Sequence, residues 1–202
     1  MKKLLITLTL LLLLVGCGKS ENLTLKNGDI IFQDSPSSQS QAIKLATHSD
    51  FSHVGIVYNQ NGKSYVYEAV GPVILTPLTV WINSGIDKHY VVKRLKNRAV
   101  LTPTVLQNMQ QIAKNFANRP YDALFGWSDA RLYCSELVWK IYKRGAGIEL
   151  GKLKKLKEFD LSHPVVKSLL QKRYGKHIPL NETVIDPQGL FDSSLLETVY
   201  LH

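Results

Sequence analysis

The residue of this chain with the clearest capacity for chemistry is Cys134. The sequence contains two cysteines, and Cys17 lies near the N-terminus in a different context, so Cys134 has no evident intrachain partner. Leu137, Val138 and Ile141 follow it in the chain, and their spacing predicts one buried face of a helix that begins near the cysteine. A helix N-terminus favours a thiolate and offers N–H groups to an oxyanion. Cys134 is therefore a candidate nucleophile, and the alternative is a small residue packed inertly under the helix.

A nucleophilic cysteine needs a base, and His53 is the best placed of the six histidines. It lies in a β-rich segment that a turn joins to a return strand carrying Glu68. A four-residue loop pairs His53 directly with Glu68, whereas a two-residue turn at Asn61 and Gly62 pairs Glu68 with Gly55, beside His53. Either register puts imidazole and carboxylate on one face of the hairpin. The pair then either fixes the imidazole tautomer for catalysis or is an ordinary cross-strand contact.

The N-terminal segment has the pattern of a bacterial export signal. Two lysines precede a leucine-rich run over residues 4–15, which is shorter than the roughly 20 residues that a spanning helix needs. The run ends at Gly16 and Cys17 and resembles the lipobox, whose cysteine is lipidated before cleavage leaves it first in the chain. In lipoproteins with this signal, aspartate after the lipidated cysteine favours retention in the inner membrane. The residue here is Gly18, which favours an outer-membrane anchor facing the periplasm. The expected organisation is a signal peptide, a lipidated tether and one folded domain, over residues 1–16, 17–26 and 27–202.

Composition and motif spacing exclude several other classes of protein. The 202 residues carry a formal net charge of +9, with 45% hydrophobic and 20% charged residues, which is typical of one globular core rather than a disordered or multispan membrane protein. His48, Asp50 and His53 match no zinc-binding spacing, and the sequence has no serine-hydrolase elbow and no phosphate-binding loop. The lysines within 152–157 are interpreted as a solvated face that can also contact anionic lipid headgroups. We therefore expect no metal, no cofactor and no nucleic-acid partner.

The remaining pattern predicts an α+β domain with mixed element order. Besides the hairpin, strands are expected over 29–33 and 90–94, and a helix over 38–46. Pro103 is expected to open an amphipathic helix, and Ser162 to cap a last one.

Five stretches of the sequence together resemble the permuted papain-like amidases of the YiiX/YaeF type, within the wider NlpC-like superfamily of bacterial cysteine hydrolases. They are residues 28–32 (GDIIF), 52–55 (SHVG), 67–69 (YEA), 120–122 (PYD) and 133–138 (YCSELV). The histidine precedes the cysteine, which is the reverse of the order in ordinary papain-like enzymes and is the mark of the family's circular permutation. The resemblance implies a circularly permuted papain-like fold with an antiparallel sheet packed against helices.

The same resemblance implies roles for four side chains. Cys134 matches the nucleophile, His53 the base and Glu68 the acidic third member, and Tyr174 is the best match to a further active-site tyrosine. The implied protein is an envelope lipoprotein, anchored through Cys17, that cleaves an amide or peptide bond, with cell-wall peptide as the first candidate substrate. Two alternatives stay open: a lipid acyl hydrolase or acyltransferase, and a non-catalytic lipoprotein that binds peptide or lipid. An open polar groove at the cysteine would favour peptide, and a deep apolar tunnel would favour acyl chains.

Overall fold

The computed structural model describes residues 24–202 of the chain. Its strands are β1 (Ile30–Gln33), β2 (His53–Gln60), β3 (Lys63–Ala69), β4 (Val73–Pro77), β5 (Tyr90–Leu95), β6 (Lys154–Lys155), β7 (Thr183–Val184) and β8 (Leu196–Leu201). Its α-helices are α1 (Ser38–Thr47), α2 (Leu78–Asn83), α3 (Pro103–Phe116), α4 (Cys134–Ala146), α5 (Pro164–Tyr174) and α6 (Pro187–Phe191). Among these described helices, none combines the length and the apolar composition that crossing a membrane requires. The expected signal peptide and the lipidated Cys17 lie outside the described residues.

Six strands form one antiparallel sheet in the order β4-β3-β2-β1-β5-β8. β1 lies inside it between β2 and β5, and Ile30, Ile31 and Phe32 are completely buried because both faces of the sheet are covered. Strands β6 and β7 form a separate short ladder. The predicted class, α+β with an antiparallel sheet packed against helices, is confirmed.

The two faces of the sheet bury cores of different size. On one face, Ile30 and Phe32 join the main core together with residues of α3 and α4. On the other, Ile31 and Val66 belong to a smaller cluster around Trp81 of α2. This alternation follows from the two-residue period of a strand.

The β2–β3 hairpin adopts the shorter of its two predicted turns. Gln60 pairs with Lys63, which leaves Asn61 and Gly62 as the loop. Both loop residues have positive φ, 51° and 73°, as a type I′ turn requires, and Asn-Gly is the favoured sequence for it. The four-residue loop is therefore wrong, and the two-residue turn is confirmed.

The register set by this turn places Gly55 opposite Glu68, so Glu68 is the diagonal neighbour of His53 on the same face. Only glycine fits at residue 55, since an added Cβ would lie 2.3 Å from Val66 Cγ1 and 2.7 Å from Tyr67 O. The two strands of the hairpin therefore leave no room for a side chain at residue 55, directly beside the His53–Glu68 pair.

Helix α4 begins at Cys134, as the sequence predicted, and is buried on almost every side. Ten of its 13 residues are buried, because the helix lies between the sheet and α3. The sequence predicted a single buried face, and the buried surface of the helix is wider than that. The buried set includes Lys140, whose Nζ lies 2.7 Å from Glu136 Oε1 and 2.9 Å from Asp129 Oδ1. Pairing of this kind is what makes a buried ammonium tolerable.

Helix α5 begins at Pro164, and its N-cap is His163 rather than the predicted Ser162. His163 Nδ1 accepts a hydrogen bond from the Val165 N–H at 3.2 Å. Ser162 bonds instead to Asp160 Oδ1. The predicted cap is wrong by one residue because an imidazole nitrogen takes the place that a hydroxyl usually fills.

Candidate active site

Cys134 occupies the first position of α4 and lies against the start of β2. The preceding Tyr133 is the N-cap, in extended conformation, and its N–H donates to Glu136 Oε2 at 3.4 Å. Cys134 is 3% exposed, and its sulfur lies 4.0 Å from the carbonyl oxygen of Ser52, the residue before His53. The unpaired N–H groups of the first helical turn are therefore next to the sulfur.

His53 and Glu68 form a short, buried hydrogen bond. His53 Nε2 lies 2.6 Å from Glu68 Oε2, and the two side chains are 9% and 6% exposed. The hydroxyl of Thr76 on β4 donates to the other carboxylate oxygen, Oε1. Trp81 of α2 stacks on the imidazole with 5.9 Å between ring centroids. Three adjacent strands and one helix thus fix the orientation of the ring.

The imidazole of His53 also contacts Cys134, so it stands between the carboxylate and the sulfur. The thiol acts on the pKa of the ring, and its sulfur lies 4.0 Å from the carbonyl oxygen of the preceding residue, Ser52. Burial alone lowers the pKa of His53, but the hydrogen bonds to Cys134 and Glu68 and the negative charges of both outweigh burial and raise it to about 10. The imidazolium is therefore favoured at neutral pH, as a thiolate–imidazolium pair requires.

Tyr121 is a residue of the site that the sequence argument did not single out. It precedes α4, bridges to Leu132 and lines the same cavity as Cys134. Gln39 Nε2 on α1 donates to its hydroxyl oxygen at 2.6 Å. Burial and the negative charge of Cys134 raise the pKa of Tyr121. The hydroxyl therefore keeps its proton, and Gln39 leaves that proton free to be donated elsewhere.

Tyr174, the fourth predicted site residue, is not brought together with the other three. It is the last residue of α5, and its hydroxyl donates to the carbonyl oxygen of Leu124. Burial raises the pKa of Tyr174 to about 12, and its ionisable neighbours are Arg173, Asp122 and Glu182 rather than Cys134. The role of Tyr174 stays a prediction, and the tyrosines that line the cavity with Cys134 are Tyr121 and Tyr133.

A cavity that Cys134 helps to line extends between α1 and α5, with a volume of about 80 Å³. Its walls are almost entirely hydrocarbon. The site therefore joins a polar, hydrogen-bonded centre to an apolar pocket.

One protein-family model matches residues 24–200, and it describes the permuted papain-like amidase enzymes, YaeF/YiiX, C92 family. The chain belongs to this family. Membership confirms the resemblance carried by the five sequence stretches and the permuted papain-like fold, and it supports a cysteine hydrolase of the amidase type.

Two relatives within this family are similar over most of their length. A protein of Escherichia coli K12 named Uncharacterized protein YiiX is 53% identical over 174 residues, which are 86% of this chain and 85% of that protein. A crystal structure titled as that of metalloprotein yiiX from Escherichia coli O157:H7 is 52% identical with a TM-score of 0.84. That match covers 88% of this chain and 97% of the other.

The word metalloprotein in that title raises the question of a metal site in this chain. Within residues 24–202, no three His, Cys, Asp or Glu side chains gather so that they could hold a metal ion. His48 is the C-cap of α1, and its Nε2 lies 3.5 Å from Asp160 Oδ2. We therefore assign no residue of the described chain to a metal.

Proposed function

We propose that the protein is a thiol hydrolase in which Cys134 is the nucleophile, His53 the base and Glu68 the residue that orients the base. The observation that carries this proposal is the convergence of carboxylate, imidazole and sulfur at the start of a buried helix. Its two links are the Glu68–His53 bond of 2.6 Å and the position of the sulfur, 4.0 Å from the carbonyl oxygen of the residue before His53. This is the arrangement in which a base activates a thiol and is itself oriented by a third group.

The reaction follows the order of the contacts. His53 takes the proton of Cys134, and the thiolate attacks the carbonyl carbon of the substrate. When the bond to the leaving group breaks, the imidazolium gives its proton to that group, and a thioester remains on Cys134. Water, deprotonated by His53, then releases the acid. Glu68 stabilises the imidazolium at each stage without taking its proton.

The oxyanion of this reaction needs donors near the sulfur. The first-turn N–H groups of α4 provide the backbone part, because a helix N-terminus carries unpaired donors and partial positive charge. The hydroxyl of Tyr121 is the side-chain donor in this proposal, in the role that the sequence argument gave to Tyr174.

The bond cleaved is proposed to be an amide, in keeping with the description of the family. We further propose that the chain is a lipoprotein anchored through Cys17 at the outer membrane, where the site would meet substrates of the periplasm. Cell-wall peptide is one such substrate. A lipid acyl hydrolase or acyltransferase is the second candidate, and the hydrocarbon wall of the cavity beside Cys134 favours it.

The proposal is tested by trapping the acyl-enzyme. The full chain is mixed with p-nitrophenyl acetate, and the mass of the intact protein and of its peptides is followed. We expect one acetyl group on Cys134 and turnover of the ester. The Cys134→Ala variant should lose both while it keeps its thermal unfolding temperature, and the Cys17→Ala variant is the matched control that should lose neither. Unchanged turnover in Cys134→Ala, or no adduct in the wild type, would reject the proposal.

A further inference from the structure

One end of the six-stranded sheet lies far from the proposed catalytic centre. At this end β1, β3 and β8 begin, while β2 and β5 terminate. His53 is the first residue of β2, and Asn59 lies six residues further along the same strand, which is a separation of about 20 Å. Helix α4 connects the same two regions. It begins at Cys134, and near its other end the Tyr142 hydroxyl donates to the Gly28 carbonyl oxygen.

The first described residues are held to this end of the sheet by polar contacts. Arg94 of β5 donates to the carbonyl oxygen of Thr24 at 3.0 Å and to both oxygens of the buried Asp29 carboxylate at 2.7 and 2.8 Å. Asn59 Nδ2 donates to the Leu25 carbonyl oxygen at 2.9 Å. The side chain of Leu25 packs against the smaller core cluster. The position of Thr24 relative to the sheet is therefore fixed.

The proposed anchor is close to Thr24 in the sequence. Seven peptide steps separate Cys17 from Thr24, and a chain spans at most about 3.6 Å per residue. A lipidated Cys17 therefore keeps Thr24 within about 25 Å of the bilayer. Because Thr24 is fixed to one end of the sheet, that end is the part of the domain that the anchor brings to the bilayer.

Exposed lysines are gathered at the same end. Lys26 precedes β1, Lys63 opens β3 and Lys96 follows β5, and all three side chains are exposed. Continued outward, the register of β1 places Lys26 between Gln60 and Asn97. Gln60 pairs with Lys63, and Asn97 follows Lys96. None of the salt bridges within residues 24–202 involves these three ammonium groups.

The carboxylates beside these lysines in the sheet are balanced by arginines. Asp29 is buried and lies 2.7 Å from Arg94 and 3.4 Å from Arg98. Glu197 of β8 lies opposite Arg94 in the ladder. Two arginines thus offset two carboxylates, and the charge of the three lysines remains.

Two exposed apolar side chains lie among the cations. Leu195 is 43% exposed and Val100 is 39% exposed. The Lys96 N–H donates to the Leu195 carbonyl oxygen at 2.9 Å. Val100 ends the helical turn that begins at Arg98, and the Arg98 guanidinium donates to the Asn27 carbonyl oxygen at 3.5 Å. Exposed apolar groups beside lysines are typical of a surface that adsorbs to lipid headgroups.

We propose that this end of the sheet docks on an anionic lipid bilayer through a tether surface formed by Lys26, Lys63, Lys96, Val100 and Leu195. The lysines contact lipid phosphates, and the two apolar side chains enter the headgroup layer. This inference rests on the proposed anchor at Cys17 and goes beyond it, because it assigns the face of the domain that meets the bilayer. The catalytic centre is then held about 20 Å from the docked end, along β2.

Lysine labelling on vesicles tests the proposal. The full chain is purified from bacterial membranes and inserted into vesicles of phosphatidylcholine, with or without about a third of phosphatidylglycerol. An acetylating reagent that does not cross the bilayer is added, and the rate at each lysine is measured by peptide mass. Because the anchor holds the chain on both kinds of vesicle, the comparison isolates the effect of the anionic lipid.

We expect Lys26, Lys63 and Lys96 to be labelled at least about threefold more slowly on the anionic vesicles. The protection should disappear at about 1 M salt, where the Debye length is about 3 Å. Lys155 and Lys157, which are exposed and lie outside the tether surface, are the internal controls and should be labelled equally on both vesicles.

Paired variants separate the tether surface from positive charge in general. Lys63→Gln with Lys96→Gln should abolish most of the protection of Lys26, because each lysine near an anionic surface strengthens binding about fivefold. Lys155→Gln with Lys157→Gln removes the same charge elsewhere and should leave the protection of Lys26 intact. Both double variants should keep the thermal unfolding temperature of the wild type, since the four side chains are exposed.

The possible failures are distinguishable. The intact mass shows whether Cys17 carries lipid, and without lipid the anchor fails and this inference fails with it. If Cys17 is lipidated but the tether surface is labelled equally on both vesicles, the docking surface is wrong and the anchor stands. Protection of Lys155 and Lys157 instead, or an equal loss of protection in the two double variants, overturns the inference in the same way.

Discussion

The two halves of the site are built in opposite ways. The sheet half holds His53, Glu68 and Thr76 on three neighbouring strands, and hydrogen bonds join the three side chains through Glu68. The helix half, between α1 and α5, is a cavity with an apolar wall and few directional contacts. Hydrogen bonds fix positions to within tenths of an ångström, whereas hydrocarbon contacts fix only a shape and a volume. We therefore expect the sheet half to determine whether the reaction occurs, and the helix half to determine which substrate reacts.

The largest effect that this comparison predicts belongs to Glu68→Gln. The amide can hold the imidazole in the wrong tautomer and cannot stabilise the imidazolium, so kcat should fall at least about 100-fold, with a smaller change in KM. Thr76→Val is the matched control, since it removes one hydrogen bond and keeps the carboxylate. It should lower kcat by less than about tenfold. An equal loss of kcat in Glu68→Gln and Thr76→Val would mean that the charge of the carboxylate plays no part in catalysis.

The Glu68→Gln substitution should also change the titration of His53. Glu68 is a cause of the raised pKa of about 10, and without its charge the lowering effect of burial is opposed by Cys134 alone. The imidazolium, which persists below that pKa, should therefore be lost at lower pH in Glu68→Gln than in the wild type. NMR titration of the His53 ring measures this directly. An unchanged titration would show that Glu68 does not act on the ring.

A smaller effect should distinguish the two tyrosines at the junction between the halves. Tyr121→Phe removes the proposed hydroxyl donor while the backbone N–H groups remain, so kcat should fall about tenfold or more. Tyr174→Phe removes a hydroxyl that is bonded to the Leu124 carbonyl oxygen, and kcat should change less than about threefold. Steady-state rates of both variants measure the difference. A larger loss in Tyr174→Phe would restore the assignment made from the sequence.

The last pair of predictions concerns stability and tests how the hairpin sets the site. Gly55→Ala would push a methyl group into Val66 and the backbone of Tyr67, and should lower the free energy of unfolding by about 2–3 kcal/mol. Gly62→Ala meets no atom within 4 Å and suffers only from its positive φ, so about 1 kcal/mol is expected. Urea unfolding of both variants measures these values. Equal losses would mean that the close approach at Gly55 does not constrain the hairpin.

The contrast between the halves also explains what the sequence could predict. The hairpin is local, and both loops considered for it put Glu68 on the face of His53, although the sequence did not decide between them. The start of α4 at Cys134 was readable from its apolar residues for the same reason. These predictions depend on contacts between residues that are near in sequence or fixed by strand period.

The helix half was not predictable in this way. The residues of the cavity wall have the same apolar types as core residues, so no pattern distinguishes Ala46 or Leu169 from ordinary packing. Tyr121 lay within the resembling stretch 120–122, which was the available signal, but its contact with Gln39 spans 82 residues. Tyr174 was chosen instead, because the resemblance implied a tyrosine that follows the nucleophile along the chain.

The central claim is that His53 makes the sulfur of Cys134 reactive, and alkylation of the full chain tests it most directly. The rate of iodoacetamide labelling at Cys134 is measured by peptide mass at pH 6, well below the free-thiol pKa of about 8.5, in the wild type and in His53→Gln. We predict that the wild type is labelled at least about 30-fold faster than the variant. Equal rates in the two proteins would contradict the account, because the sulfur would then owe nothing to the imidazole beside it.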